Sequence, residues 1–143
     1  MGSSDGDRDP TVTVTLDRAF ARLADVGKSL NEETNNLAAA IQAVDEKLVK
    51  LNLGLLCWIT IDKAAGIHLG YGQHNKQWGL LARHGDDTWR LLSAPRYIRI
   101  RAVAAFPELL EHLTRAATAM VGRTQLATTM AREFLAAIEQ ETP

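Results

Sequence analysis

The chain has 143 residues, of which 46% are hydrophobic and 23% charged, and its formal net charge is −1. This length fits one domain with a hydrophobic core, and the balanced charge argues against a protein built mainly to bind nucleic acid or an acidic membrane. The single cysteine, Cys57, excludes a disulfide within the chain, and no apolar run is long enough to span a membrane. We therefore expect a cytoplasmic protein with no membrane association.

Residues 1–11 are rich in glycine, serine and aspartate and predict a disordered tail, followed by a single domain over 12–143. Threonine and valine alternate from Thr11 to Thr15, which leaves open a short strand or a cap at Thr15 or Asp17 for the helix that follows.

A seven-residue repeat runs from Leu16 to Leu51, with apolar residues in alternating steps of four and three. This spacing is typical of a helix that buries one stripe against another helix, and it predicts a helix over about 16–52. The flanking positions are rich in alanine, which favours a bundle over a two-stranded coiled coil. We expect a homo-oligomer, a dimer or larger, whose interface is formed by Leu16, Phe20, Leu23, Leu30, Leu37, Ile41, Val44 and Leu48.

After Gly54 the period changes from seven to two, and short turns separate four strands between about 55 and 93. The pattern predicts an antiparallel meander with two distinct faces. The predicted core face carries Cys57, Ile59, Ile61, Ile67, Leu69, Tyr71, Leu80 and Ala82. The predicted second face carries Trp58, Thr60, His68, Gly70, Gly72, Leu81 and Arg83, joined by Trp89 in the favoured register.

The segment 95–106 favours a helix capped by Ser93 or Ala94, although its alternating arginines and isoleucines leave a fifth strand open. The four–three spacing returns at Phe106 and passes through Gly122 without losing phase, so we expect one long helical region to about Glu141. The predicted fold class is α+β: a long N-terminal heptad helix, a four-stranded antiparallel meander and a long C-terminal helical region. The helices are expected to form a coiled-coil-like layer packed on the small sheet.

Charge is segregated along the chain. Seven basic and two acidic residues lie between Lys63 and Arg101, while nine basic and fifteen acidic residues make up the rest. Arg96 and Arg99, near the start of a helix, would suit a phosphate or carboxylate. On the second face, Gly70 and Gly72 would form a flat floor between Trp58 and Trp89, beside His68 and Arg83. The plainer interpretation is that the arginines are solvated or paired with the acidic residues of the long helices. On the second face, the tryptophans would cover the glycines, or a second layer would bury the face.

The four histidines lack a metal-ligand spacing, and no serine or cysteine stands in a nucleophile motif, so we expect no metal, no cofactor and no catalytic site. The leading hypothesis is a non-enzymatic interaction protein, an adaptor, regulator or inhibitory subunit. It would self-associate through its helices and present the sheet face and the arginine-rich segment to a partner, with a protein favoured over a nucleic acid. The alternative is a binder of an anionic small molecule such as a nucleotide, and a weak nucleic-acid binder comes third.

Overall fold

A computed structural model describes residues 10–141 of the chain. This part of the chain contains three α-helices and four strands, and a 3₁₀ turn, Leu91–Ser93, connects the last strand to the second helix. In chain order they are α1 (Pro10–Lys50), β1 (Cys57–Asp62), β2 (Ile67–His74), β3 (Gln77–His84), β4 (Asp87–Arg90), α2 (Arg96–Ala104) and α3 (Phe106–Glu141). Of the described residues, 67% are helical and 20% lie in strands. The four strands form one sheet, and the predicted α+β class is therefore confirmed. The chain divides after Ala40 into two compact units.

The first unit is the N-terminal part of α1, which begins at Pro10 and not near residue 16. The Thr11–Thr15 segment is therefore helical, and Thr15 is not a cap but donates its hydroxyl to the Thr11 carbonyl oxygen at 2.9 Å. Proline suits the first turn of a helix because its missing N–H would have no partner there. The predicted tail is wrong for Pro10 and Thr11, while its residues 1–9 lie outside the described part of the chain.

Most side chains between residues 11 and 40 are exposed, including the apolar ones of the repeat. The exposed fractions are 53% for Leu16, 66% for Phe20, 64% for Leu23 and 46% for Leu30. This part of the helix is thus amphipathic, yet its apolar side faces solvent in the single chain.

In the second unit the end of α1 packs tightly, with Ile41 1% and Leu48 5% exposed. The carboxylate of Asp45 accepts a hydrogen bond from the Leu80 backbone N–H on β3 at 2.7 Å, and the Tyr71 hydroxyl donates to the Leu48 carbonyl oxygen at 3.5 Å. These contacts fix the last turns of α1 against the sheet by both apolar burial and hydrogen bonds.

The sheet has the order β1-β2-β3-β4 with every neighbouring pair antiparallel, which confirms the predicted meander. Asn75 and Lys76 both have positive φ in the two-residue turn between β2 and β3, the backbone of a type I′ hairpin. Tyr71 pairs with Cys57 and Leu80.

The same pairing joins Leu69 to Ile59 and Ala82, so the predicted core face is confirmed at these paired positions. Tyr71, Leu69 and Ala82 are at most 1% exposed. The pairing of β1 shifts between Thr60 and Asp62, which leaves Ile61 at an irregularity.

Residues 96–104 form α2, so the strand alternative is excluded, and the cap is Pro95 in place of Ser93 or Ala94. Ile98 and Ala102 are completely buried, and Leu109 and Leu113 of α3 are nearly so. These residues provide the helical side of the core.

Beyond Ala105, α3 continues through Gly122 to Glu141 as one helix, as predicted. Packing ends earlier than the helix does, because every residue of α3 after Ala117 is exposed.

Candidate functional site

Five of the predicted site residues share the second face of the sheet. Trp58 pairs with Gly70 across β1 and β2, and His68 pairs with Arg83 across β2 and β3. Gly72 lies two residues beyond Gly70 on the same face. The register therefore brings these side chains to neighbouring positions, as the alternation predicted.

Trp58 lies directly over Gly70. A β-carbon at Gly70 would stand 2.4 Å from Trp58 Cε3, and one at Gly72 would stand 2.4 Å from a methyl carbon of Leu56. The Arg83 guanidinium lies 4.6 Å from the centroid of the Trp58 ring, a cation–π contact. The predicted flat floor is thus occupied by the protein's own side chains, which leaves a surface and not a slot for a planar ligand.

Trp89 lies on the other face. It pairs with Ala82, whose side chain belongs to the core face, so the register that placed Trp89 beside Trp58 is wrong. β4 is only four residues long and pairs with the end of β3, and a one-residue difference in register moves a side chain to the opposite face. The two tryptophans therefore do not form the two walls of one site.

Arginines of the basic segment have partners within the chain. Arg90 donates to the Gln77 side-chain oxygen at 3.0 Å, Arg83 stacks on Trp58, and Arg101 forms an ion pair with Asp62. Two hydrogen bonds hold the pKa of the Asp62 carboxyl below its ordinary value: the larger effect comes from the Ala65 backbone N–H and the smaller from Arg101. These three arginines are therefore paired within the chain, but with residues of the sheet and not with the acidic residues of the long helices.

Arg96 and Arg99 lie on α2 and not on the sheet. Arg96 is exposed, whereas Arg99 is half-buried and its Nε atom has no hydrogen-bond partner within residues 10–141. The eight predicted binding residues are consequently split among the second sheet face, the core face and α2.

The predicted oligomer interface is also divided by burial. Ile41 and Leu48 are packed inside the second unit and are not available to a second chain, so their assignment to the interface is wrong; Leu37 and Val44 are half-buried. The exposed members are Leu16, Phe20, Leu23 and Leu30, and Val26 beside them is 64% exposed. We call these five residues the α1 stripe.

A second apolar surface runs along α3, and the sequence interpretation did not single it out as a binding surface. Two adjoining depressions of about 560 and 470 Å³ share Leu53, Ala117 and Val121 as lining residues. They extend along α3 from Leu110 to Arg132, and residues 48–55 line the other side. We call this surface the α3 trough. Its signal in the sequence was the same four–three repeat that predicted the helix.

The chemistry of the described residues adds no reactive centre. Burial raises the pKa of the Cys57 thiol, which disfavours the nucleophilic thiolate. Within residues 10–141, no group of three or more His, Cys, Asp or Glu side chains has an arrangement that could hold a metal ion. No helix in this same range is long and apolar enough to cross a membrane.

The chain was compared with protein-family models, with curated proteins and with solved structures. None of the three comparisons finds a match.

Proposed function

We propose that the protein is a non-enzymatic interaction protein that self-associates through the α1 stripe and acts as an adaptor, regulator or inhibitory subunit. The observation that carries this proposal is the exposure of the stripe, whose five side chains are each 46–66% exposed on a single helix. A contiguous row of large, exposed apolar side chains is typical of an interaction surface, whereas the exposed apolar residues of soluble proteins are usually scattered singly.

Helix energetics support the same proposal. Helices in water gain most of their stability from packing an apolar side, and intrinsic propensity alone leaves them marginal. Residues 11–40 leave that side uncovered in the single chain and include Gly27, which lowers helix propensity by about 1 kcal/mol relative to alanine. A second helix against the stripe would supply the missing packing.

The positions of the charged and the small residues around the α1 stripe favour a bundle. Arg18, Asp25 and Glu32 recur every seven residues on the side away from the stripe, while Ala19 and Ala24 flank it. Small residues at the flanks widen the surface that can be buried, which suits contact with more than one helix.

The test is the mass of the protein in solution, measured by sedimentation equilibrium and light scattering over a micromolar concentration series. We expect a dimer or larger for the natural chain and a single-chain mass for Leu23→Glu, because a buried carboxylate without a partner opposes association. Ala21→Glu is the matched control, since Ala21 is exposed on the side of α1 away from the stripe, within one turn of Arg18 and Asp25, and it should associate as the natural chain does. A natural chain that stays monomeric throughout the series would rule out the proposal.

The second sheet face is the surface we propose for a different protein partner. Leu56 is 64% exposed there, next to the Trp58–Arg83 pair, and no strand residue on this face is acidic. The part of this face around Trp58 and Arg83 is apolar and cationic, which fits a partner that offers apolar and acidic side chains. The Asp45 carboxylate lies at the other end of the face, beside Gly79.

The alternative is an anionic small molecule such as a nucleotide, whose phosphate would bind the Arg83 guanidinium on this open surface, and a thermal-shift screen separates the two. A ligand at 100 times its dissociation constant stabilises the folded protein by about 2.7 kcal/mol, which raises the melting temperature by several degrees. A shift with nucleotides that Arg83→Ala abolishes supports the small-molecule alternative. The absence of any shift with phosphate-bearing ligands removes it.

A further inference from the structure

β3 is eight residues long, but β4 covers only half of its outer edge. β4 pairs with residues 81–84, and no strand of residues 10–141 lies beside residues 77–80 on that side. On its other side β3 is paired with β2 at every residue from Gln77 to His84. The first half of β3 therefore has one uncovered side, which we call the β3 edge.

The alternation of the strand directs the backbone groups of the β3 edge. The Leu80 N–H points away from β2, because it donates to the Asp45 carboxylate at 2.7 Å. In an antiparallel sheet alternate residues direct their N–H and C=O groups to the same side, so Trp78 directs both of its groups to the β3 edge. Neither group bonds to another group within residues 10–141.

A depression of about 500 Å³ adjoins the β3 edge, a size within the range of pockets that hold ligands. Its charged lining residues are two acids and two bases, Asp45, Glu46, Lys50 and Arg90. Gln77, Trp78 and Val49 also line it, and all of these residues belong to the second unit. The depression thus has no net charge and contains one large aromatic side chain.

Three of the lining side chains are held in place by contacts within the chain. The Trp78 ring stacks on Tyr71 with the ring centroids 5.8 Å apart, and Arg90 donates to the Gln77 side-chain oxygen at 3.0 Å. Asp45 is held by its hydrogen bond from the backbone of β3. A site whose side chains are already fixed loses less conformational freedom on binding.

We propose that the β3 edge binds an extended peptide segment of another protein, which pairs with Trp78 as an added antiparallel strand. This site goes beyond the proposed function and uses neither the α1 stripe nor the second sheet face. The peptide residue opposite Trp78 exchanges two backbone hydrogen bonds with it. Its side chain lies on the same side of the sheet as the Trp78 ring, in the depression that Val49 also lines, so a large apolar residue fits there.

The chemistry of the β3 edge favours a peptide backbone over a charged small molecule. An unpaired N–H and an unpaired C=O on one residue match the C=O and N–H of one residue of an antiparallel strand. The balanced charges of the depression favour neither an anion nor a cation. Asp45 already takes the place of a strand at Leu80, and Trp78 is the next residue that faces the same way.

The test measures amide hydrogen exchange in the full chain by NMR. In the free protein we expect the Trp78 amide to exchange faster than the Gly79 amide, because the Gly79 N–H faces β2. The probes are acetylated and amidated five-residue peptides, rich in threonine and valine, with a central phenylalanine, leucine or tyrosine. At about ten times its dissociation constant a bound peptide should slow exchange at Trp78 about tenfold and leave Gly79 unchanged.

Two comparisons separate backbone pairing from apolar contact. Methylation of the amide nitrogen of the central peptide residue removes one hydrogen bond but keeps the side chain, and it should abolish the slowing. Val49→Arg places a long charged side chain in the depression and should also abolish it. Ala43→Arg is the matched control, since Ala43 is exposed on the same helix but does not line the depression, and it should bind as the natural chain does. Far-UV circular dichroism verifies that both variants keep their helix content.

Three results overturn the proposal. The first is a Trp78 amide that exchanges as slowly as Gly79 in the free protein, because the β3 edge would then already be covered. The second is a set of peptides of which none slows exchange at Trp78 at millimolar concentration, and the third is a methylated peptide that acts as strongly as its parent. None of these measurements depends on the mass of the protein in solution, so each leaves the proposed self-association standing.

Discussion

Residues 11–40 and 41–50 of α1 share one seven-residue repeat but differ in their surroundings. Leu23 in the first part is 64% exposed, whereas Ile41 and Leu48 in the second part are 1% and 5% exposed. α3 repeats the contrast, with Leu113 3% exposed and Phe134 69% exposed. A heptad repeat thus specifies which side of a helix can be buried, and the number of available neighbours decides how much of that side is buried within one chain.

The largest expected effect on stability comes from shortening one apolar side chain in the packed part of the repeat, and the same change in the exposed part is the comparison. Ile41→Ala should lower the free energy of unfolding by about 2–5 kcal/mol, because it removes fully buried methyl groups and leaves a cavity. Leu23→Ala should change it by no more than about 0.5 kcal/mol in the single chain. Urea denaturation at protein concentrations below the onset of association measures both. Equal losses would show that residues 11–40 are packed within the single chain, contrary to the exposure of Leu23.

The hydrogen bond at the packed end of α1 gives the next effect. Asp45→Ala leaves the part-buried Leu80 N–H without its acceptor and should cost about 1–3 kcal/mol. Asp45→Asn keeps a side-chain oxygen and should cost less. Glu46→Ala, an exposed neighbour, is the control and should be nearly neutral in the same denaturation experiment. If Asp45→Ala is as stable as this control, the hydrogen bond from Leu80 N–H to Asp45 does not help to anchor α1 on the sheet.

Gly122→Ala tests the unpacked part of α3 and should stabilise it. A β-carbon at Gly122 would meet no atom within 4 Å, so the substitution adds about 1 kcal/mol of helix propensity without a clash. Amide hydrogen exchange should slow in the turns around residue 122 and stay unchanged in the sheet. Faster exchange there would mean that the glycine is needed for close packing that the single chain does not contain.

The smallest effect concerns acid stability. Folding lowers the pKa of Asp62 from its ordinary value of about 3.8. The contribution of this carboxylate to the free energy of unfolding is therefore fully present above the pKa of the unfolded chain and is lost as the pH falls through the pKa of the folded protein. Asp62→Asn removes this dependence. The difference in unfolding free energy between the natural chain and the variant should therefore be constant near neutral pH and shrink in acid. A difference that stays constant into acid would show that Asp62 gains nothing from Ala65 and Arg101.

Periodicity determined most of the fold. The change from steps of four and three to alternation, and back again, separated α1, the meander and α3, because helix and strand repeat their side-chain directions at different periods. The passage of α3 through Gly122 was predicted for the same reason, since a turn has no cause to preserve the phase of the repeat. The core face of the sheet followed from alternation once the turns were placed.

Tertiary structure decided the points that depend on a neighbour. The helical start at Pro10 required knowing that Thr11–Thr15 has no strand partner, and the face of Trp89 required the register of a four-residue strand. Trp58 was predicted beside Gly70, but only its side-chain position shows that the glycine is covered. Sequence by itself determined the apolar stripes of the two long helices. Only the structure showed which parts of them this chain buries, because burial depends on how many other elements lie within reach of each helix.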